Sequence, residues 1–273
     1  MAYKTQLSQE AIDKILDGYC NKKYGLIKTG KLVGVGSSIV RRVLLENNIH
    51  IRSFSEAAHN SADNRREYNV NDSYFDVESP NMAYLLGFLA ADGTVRKDSN
   101  EVKIGLSSVD VDFLEVIRQE LQSERPLFTY ETANGYSVTE LKFTSSNIKR
   151  KLAEYNIVPN KTYTFQFPEK LSKEYYIDFI RGYFDGDGSV STAGEAIRFQ
   201  ICGFKPEVLE KIVEILEQYG IPKVKVQKQM KESGNYLYTI QYSTVPTKKI
   251  FQLLYTPNSL YLPRKFEKYK SLI

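Results

Sequence analysis

One stretch constrains the fold more than any other: Tyr176-Ile-Asp-Phe-Ile-Arg-Gly-Tyr-Phe-Asp-Gly-Asp-Gly-Ser-Val190. It reads as a helix that runs directly into two acids and two glycines. An earlier stretch, Met82-Ala-Tyr-Leu-Leu-Gly-Phe-Leu-Ala-Ala-Asp-Gly-Thr-Val95, has the same shape. Gly87 matches Gly182, Asp92 matches Asp187 and Gly93 matches Gly188, each pair 95 positions apart. A glycine, an acid and a second glycine in one register define an internal repeat.

Helical geometry explains the residue types. Gly87 and Ala91 lie on one face, as do Gly182 and Gly186, because each pair is i and i+4. Small residues one turn apart allow two helix backbones to come very close. If the two helices pack through these faces, Asp92 and Asp187 meet at the C-terminal ends, where the helix dipole is already negative. Two carboxylates there repel each other, and a divalent cation with oxygen ligands would relieve the repulsion. Taken singly, each Asp-Gly also fits a helix stop followed by a turn. A calcium loop starting at Asp185 is excluded, because its sixth and twelfth positions would be Val190 and Ala196 instead of glycine and glutamate.

Leu85-Leu-Gly-Phe-Leu-Ala-Ala-Asp-Gly93 and Ile180-Arg-Gly-Tyr-Phe-Asp-Gly-Asp-Gly188 resemble the paired signature of the LAGLIDADG homing endonucleases. The resemblance spans roughly residues 74 to 270. It implies that the eighth letter of each motif, Asp92 and Asp187, is the catalytic, metal-binding acid. The sixth letter is Asp185 in the second copy and Ala90 in the first, a departure from the pattern.

Elimination points the same way. The only histidines, His50 and His59, precede the first motif, so the repeated region holds no histidine-dependent nuclease site, zinc hydrolase or Ser-His-Asp triad. Cys20 and Cys202 are too few for a disulfide framework or a zinc cluster. No apolar run is long enough for a membrane span, and Met1 to Leu7 has no signal pattern, so a cytoplasmic setting is expected. The ends lack the terminal nucleophile and the His-Asn pair that an intein needs.

Charge is placed unevenly. Residues 1–70 hold 11 Lys and Arg against 7 Asp and Glu, and residues 71–273 hold 26 of each. The surplus coincides with a predicted small helical domain, residues 1–55. Ser8 caps a helix through about Lys23 with Ile12, Ile15, Leu16 and Tyr19 inward; a short helix covers Tyr24 to Leu32; Gly34-Val-Gly36 turns; and Ser37 caps a helix from Ser38 to Asn47 with Ile39, Val43 and Leu44 inward. This layout, with Arg41 and Arg42 outward, is similar to a helix-turn-helix DNA reader, a reading the local charge surplus favours over a bundle without a ligand. Residues 56–78 read as a polar linker, in which Arg65 and Arg66 are candidate phosphate or minor-groove contacts.

The rest reads as two αββαββα units, residues 79–168 and 169–273, in an α+β fold. Asn134-Gly135 and Ser233-Gly-Asn235 mark hairpin turns. Two four-stranded sheets related by a pseudo-two-fold axis would form a DNA-binding saddle with the motif helices as its seam. On the sheet faces left polar we place Arg96, Lys103, Lys142, Arg198, Gln200, Lys225, Gln227 and Gln241, residue types that bond base edges and phosphates. The bland alternative is the solvated side of a half-buried sheet.

The resemblance further implies Mg²⁺, or Mn²⁺ or Ca²⁺, held by Asp92 and Asp187 with the carbonyls of Ala91 and Gly186. It implies a staggered double-strand cut in a long duplex DNA target by a monomer; alignment of the two repeats adds Lys142 and its mate Gln241 as residues that would order solvent near the scissile phosphates. A catalytically silent DNA-binding regulator and an RNA-binding splicing helper are the alternatives on the same fold.

Overall fold

The computed structural model describes residues 7–53, 56, 68–231 and 234–272. They divide into two compact units, residues 1–67 and 68–273. Arg65 and Arg66 lie outside the described residues.

In the first unit, α1 (Gln9–Leu16) begins at Ser8, whose hydroxyl accepts from the Ala11 amide at 3.3 Å. It does not run to Lys23 as a plain α-helix. From Asp17 to Asn21 the backbone widens into a π-turn, closed by the Lys22 amide on the Asp17 carbonyl. Next come α2 (Leu26–Leu32), a turn through Gly34 at φ +72, and α3 (Ser37–Glu46). Gly36 occupies the cap position and makes no side-chain bond, so Ser37 opens the helix instead of capping it. The buried stripe of α3 is Val40, Val43 and Leu44, one face at i, i+3 and i+4, while Ile39 sits half-buried on its flank. These residues close on Ile15 and Tyr19. Arg52 locks the end of the unit, stacking on the Tyr19 ring and donating to the Lys23 and Tyr24 carbonyls.

The second unit is α+β. Its first half runs α4 (Pro80–Asp92), β1 (Gly93–Val95), β2 (Glu101–Ser107), α5 (Val111–Glu120), β3 (Phe128–Glu131), β4 (Ser137–Thr144) and α6 (Ser146–Glu154). The second half repeats this as α7 (Tyr176–Asp187), β5 (Gly188–Ala193), β6 (Ala196–Gly203), α8 (Pro206–Gln218), β7 (Gln227–Met230), β8 (Tyr236–Ser243) and α9 (Val245–Leu254). The sheets are antiparallel, ordered β1-β2-β4-β3 and β5-β6-β8-β7, so the two halves share one topology. Among the described residues no helix is long and apolar enough to cross a membrane.

The motif helices form the centre. Ser79 caps α4 by accepting from the Met82 amide at 3.1 Å, and Pro80 occupies the first turn, where its missing N–H costs nothing. Every residue from Met82 to Ala90 is buried, as expected of a helix apolar on all sides. A Cβ built on Gly87 would stand 2.0 Å from the Phe179 carbonyl oxygen, and one on Gly182 would stand 1.9 Å from that of Tyr84. The two backbones therefore touch reciprocally, and only glycine fits at either place.

Two segments differ from expectation. Residues 68–78 are not linker: Val70 and Phe75 are buried, Asn69 bonds Glu124, and Tyr74 donates to Glu120. Two apolar residues among many polar ones are enough to dock the segment once a groove exists. A further helix, α10 (Pro263–Lys270), closes the chain, where periodicity alone predicts none. Its hold is aromatic, Tyr269 stacking on Phe251 at 3.8 Å and Phe266 on Tyr255 at 4.7 Å.

Candidate functional site

Asp92 and Asp187 are the last residues of α4 and α7, each followed by the glycine that opens a strand. Tight glycine packing brings the two helix ends together. A Cβ on Gly186 would meet the Ala91 Cβ at 2.3 Å and an Asp92 carboxylate oxygen at 3.4 Å, so the Asp92 carboxylate lies against the turn that carries Asp187. Burial raises the Asp92 pKa above the usual carboxylate range against the pull of Lys265, Lys161 and Arg264. Burial and then the Asp92 charge push Asp187 up to about 6. The paired acids foreseen from the repeat are thus in contact range of each other's field.

Two buried lysines that motif reasoning missed complete the arrangement. Lys161 Nζ donates to the carbonyls of Ala91 at 3.3 Å and Gly93 at 2.6 Å. Lys265 Nζ donates to those of Phe184 and Gly186, both at 2.8 Å. Each lysine caps the C-terminal end of one motif helix, where a cation opposes the dipole. Burial lowers the Lys161 pKa and brings Lys265 down to about 8, while the acids pull the other way. The signal was in the sequence as a second repeat, Pro159-Asn-Lys161 and Pro263-Arg-Lys265, one after each half. The same carbonyls, Ala91 and Gly186, are those expected to help hold metal, and here each accepts from an ammonium group.

Asp185, the sixth letter, has a different task. It is 1% exposed and accepts from the Tyr84 hydroxyl, the Tyr255 hydroxyl and the Leu262 amide at 2.8, 2.6 and 2.7 Å. It ties the segment leading to Lys265 onto α7. The first copy keeps Ala90 at this place, buried and without such a network.

The sheet residues fall where alternation puts them, except that Arg96 and Lys225 lie just outside their strands. Lys103 pairs with Lys142 across β2 and β4, and Gln200 with Gln241 across β6 and β8. Arg96 lies 3.3 Å from Glu101, Arg198 is half-buried beside Ser191 and Ser243, and Gln227 is exposed at the start of β7. Lys225 precedes β7 instead of lying in it, because the strand expected from Lys223 begins only at Gln227. Lys142 is not a free base over the acid pair: its ammonium is held by Glu140 at 2.7 Å, and the cations acting on the acids are Lys265, Lys161 and Arg264. In the first unit Arg41 is exposed on α3, and Arg42 is half-buried, 3.9 Å from Glu46.

Two hard carboxylates with backbone carbonyls beside them form a donor set that suits Mg²⁺, an ion that keeps part of its water shell. Among the described residues no group of three or more His, Cys, Asp or Glu that could hold a metal ion is gathered.

The family model described as "LAGLIDADG-like domain" matches residues 79–155 and 174–256, the two halves in turn. The chain belongs to the LAGLIDADG-like family. It is 26% identical over 162 residues to the uncharacterized protein MJ0314 of Methanocaldococcus jannaschii, covering 55% of this chain and 54% of that one. The chain therefore spans about half the length of that relative. Among solved structures, the N-terminal LAGLIDADG domain of DUF199/WhiA is similar at 15% identity with a TM-score of 0.44, over 82% of this chain and 98% of that one. The I-LtrWI LAGLIDADG homing endonuclease bound to target DNA is similar at 13% identity with a TM-score of 0.42, over 74% and 89%.

Proposed function

We propose that this chain is a site-specific, metal-dependent DNA endonuclease that cuts both strands of a long target as a monomer. The observation that carries the proposal is the acid pair. Two carboxylates with raised pKa values abut at the ends of two helices, and a buried lysine serves each end. Folding alone gains nothing from crowding like charges, so the arrangement is best understood as serving a bound cation. Asp92 and Asp187 would hold it. When bound, such an ion polarises a phosphate and lowers the pKa of an attacking water.

The chain's own groups do the rest. Lys161 and Lys265 cap the carbonyls beside the acids and keep positive charge there when the cation is absent. With its pKa near 8, Lys265 Nζ holds its proton loosely at neutral pH and is the better placed of the two to pass one on. Lys103, Lys142, Arg198, Gln200, Gln227 and Gln241 lie on the sheet faces that would meet the duplex, and Arg96 and Lys225 flank them. Residues 1–55 form a second DNA contact, with Arg41 and Arg42 on α3; Arg65 and Arg66 would follow in the connecting segment.

A silent DNA-binding regulator is the second reading, favoured by one feature: the Ala91 and Gly186 carbonyls already accept from lysines. One experiment separates the two. A randomised duplex library is incubated with the full chain and Mg²⁺, with EDTA, and with the Asp187→Asn and Asp92→Asn/Asp187→Asn variants. Cut products with wild type and Mg²⁺ alone support the endonuclease. Bound but uncut duplexes under every condition support the regulator, and cutting that survives loss of both acids refutes the site.

A further inference from the structure

The strand registers place the two halves in correspondence without reference to any sequence alignment. Thr94, the second residue of β1, pairs with Lys103, and Lys103 with Lys142; Ser189, the second residue of β5, pairs with Gln200, and Gln200 with Gln241. Two residues along, Gly105 pairs with Glu140 and Cys202 with Thr239. The triad Lys103–Glu140–Lys142 in the first sheet thus occupies the place of Gln200–Thr239–Gln241 in the second. All six share the parity opposite to Ile104, Leu141, Ile201 and Ile240, which are buried against the helices. The difference continues outward: Phe128 faces Glu140, whereas Gln227 faces Thr239.

The chemistry of the two triads differs in kind. In the first, one nearly buried carboxylate, 4% exposed, binds both ammonium groups, Lys103 at 2.6 Å and Lys142 at 2.7 Å. It fixes their direction and cancels one of their two charges, which leaves directional donors instead of mobile counter-charges for phosphate. A lysine has donors only and matches the adjacent acceptors O6 and N7 of guanine. In the second triad every group is neutral. Glutamine carries a donor and an acceptor on one planar amide, which matches N6 and N7 of adenine.

We propose that the two sheets read different bases: guanine under the Lys103–Glu140–Lys142 triad, and adenine under Gln200 and Gln241. The target is then asymmetric, although the protein is built from two copies of one unit. This inference rests on the duplex binding proposed above and narrows it to base classes at two places.

The test is a binding selection on a randomised duplex library with the full chain in EDTA, so that nothing is cut, followed by sequencing. Wild type is expected to enrich one half-site with a guanine and the other with adenines, each preferred on the order of tenfold. The triple exchange K103Q/E140T/K142Q installs a set that the second sheet already accommodates in the same register, and is expected to turn the guanine position to adenine while leaving the other half-site unchanged. The reverse exchange, Q200K/T239E/Q241K, is expected to do the opposite, and answers the question if the first variant fails to fold. Like bases at the equivalent positions of the two wild-type half-sites, or enriched sites that neither exchange alters, overturn the inference while leaving DNA binding intact. Enrichment of no duplex at all refutes the DNA-binding proposal and this inference together.

Discussion

Gly182→Ala tests the contact on which the acid pair depends. A Cβ at Gly182 would lie 1.9 Å from the Tyr84 carbonyl oxygen and 2.8 Å from the Phe88 nitrogen. Comfortable separation is about 3.5 Å, so the deficit is roughly 1.6 Å. Both obstructing atoms are backbone and cannot swing aside, so α4 and α7 must part or shear. Overpacking of a core costs about 1–3 kcal/mol, with a rigid backbone contact at the upper end. The better helix propensity of alanine returns about 1 kcal/mol. The net loss is about 2 kcal/mol, which for a unit of this size lowers Tm by about 4–8 °C. Calorimetry on the full chain reads this directly. Gly105→Ala is the control, since its Cβ would meet only side-chain atoms of Glu140 and Val138, none nearer than 3.6 Å. Cleavage should fall further than stability, because the displacement separates Asp92 from Asp187. A Gly182→Ala protein melting within about 1 °C of wild type would show that the helices are not packed backbone to backbone.

Asp187→Asn should abolish cleavage while easing repulsion. The folded pKa of about 6 lies above the ordinary 3.8, so this group's stabilising contribution is full below about pH 4 and is lost as pH rises through 6. In EDTA the wild-type Tm should therefore decline more across that window than the variant's; parallel curves would remove the acid pair's strain from the account. Lys265→Met takes the lysine donor from the Gly186 carbonyl and leaves that of Phe184 with the Gly188 amide alone, and should cost about 1–3 kcal/mol in chemical denaturation. It should also slow cleavage on the order of a hundredfold, the scale for losing one positioned donor, and unchanged single-turnover rates would confine Lys265 to a structural task. For Glu140, burial works to raise the pKa, and Lys103 and Lys142 outweigh it, holding the group at about 2. Its contribution is present above pH 4.5 and lost as pH falls through 2, so Glu140→Gln should flatten the acid limb of the Tm profile. An unaltered limb would mean that the two ion pairs contribute little.

The order of helices and strands was largely legible in the chain, because each element is announced locally. Ser79-Pro80 opens a helix, Asn134-Gly135 turns a hairpin at φ +76, and Val102 and Ile104 alternate into the core. The acid pair was legible too, because a repeat states the same contact twice. Local signals failed where the deciding contact lies far along the chain. Val70 and Phe75 sit in a stretch that composition marks as linker, and α10 has too few apolar residues to announce itself before Phe251 and Tyr255 cover them.

Asp185 and Asp187 show the limit most sharply. Two residues apart and chemically identical, they differ because Tyr84, Tyr255 and Leu262 converge on the first from 70 to 101 positions away, while the second opens to water beside Asp92. Lys161, Lys265 and Glu140 likewise take their roles from partners distant in the chain. Periodicity and turn chemistry act over a few residues and so are written in the order of amino acids. Burial, pairing and pKa depend on which distant groups are brought within a few ångströms, and packing alone sets that.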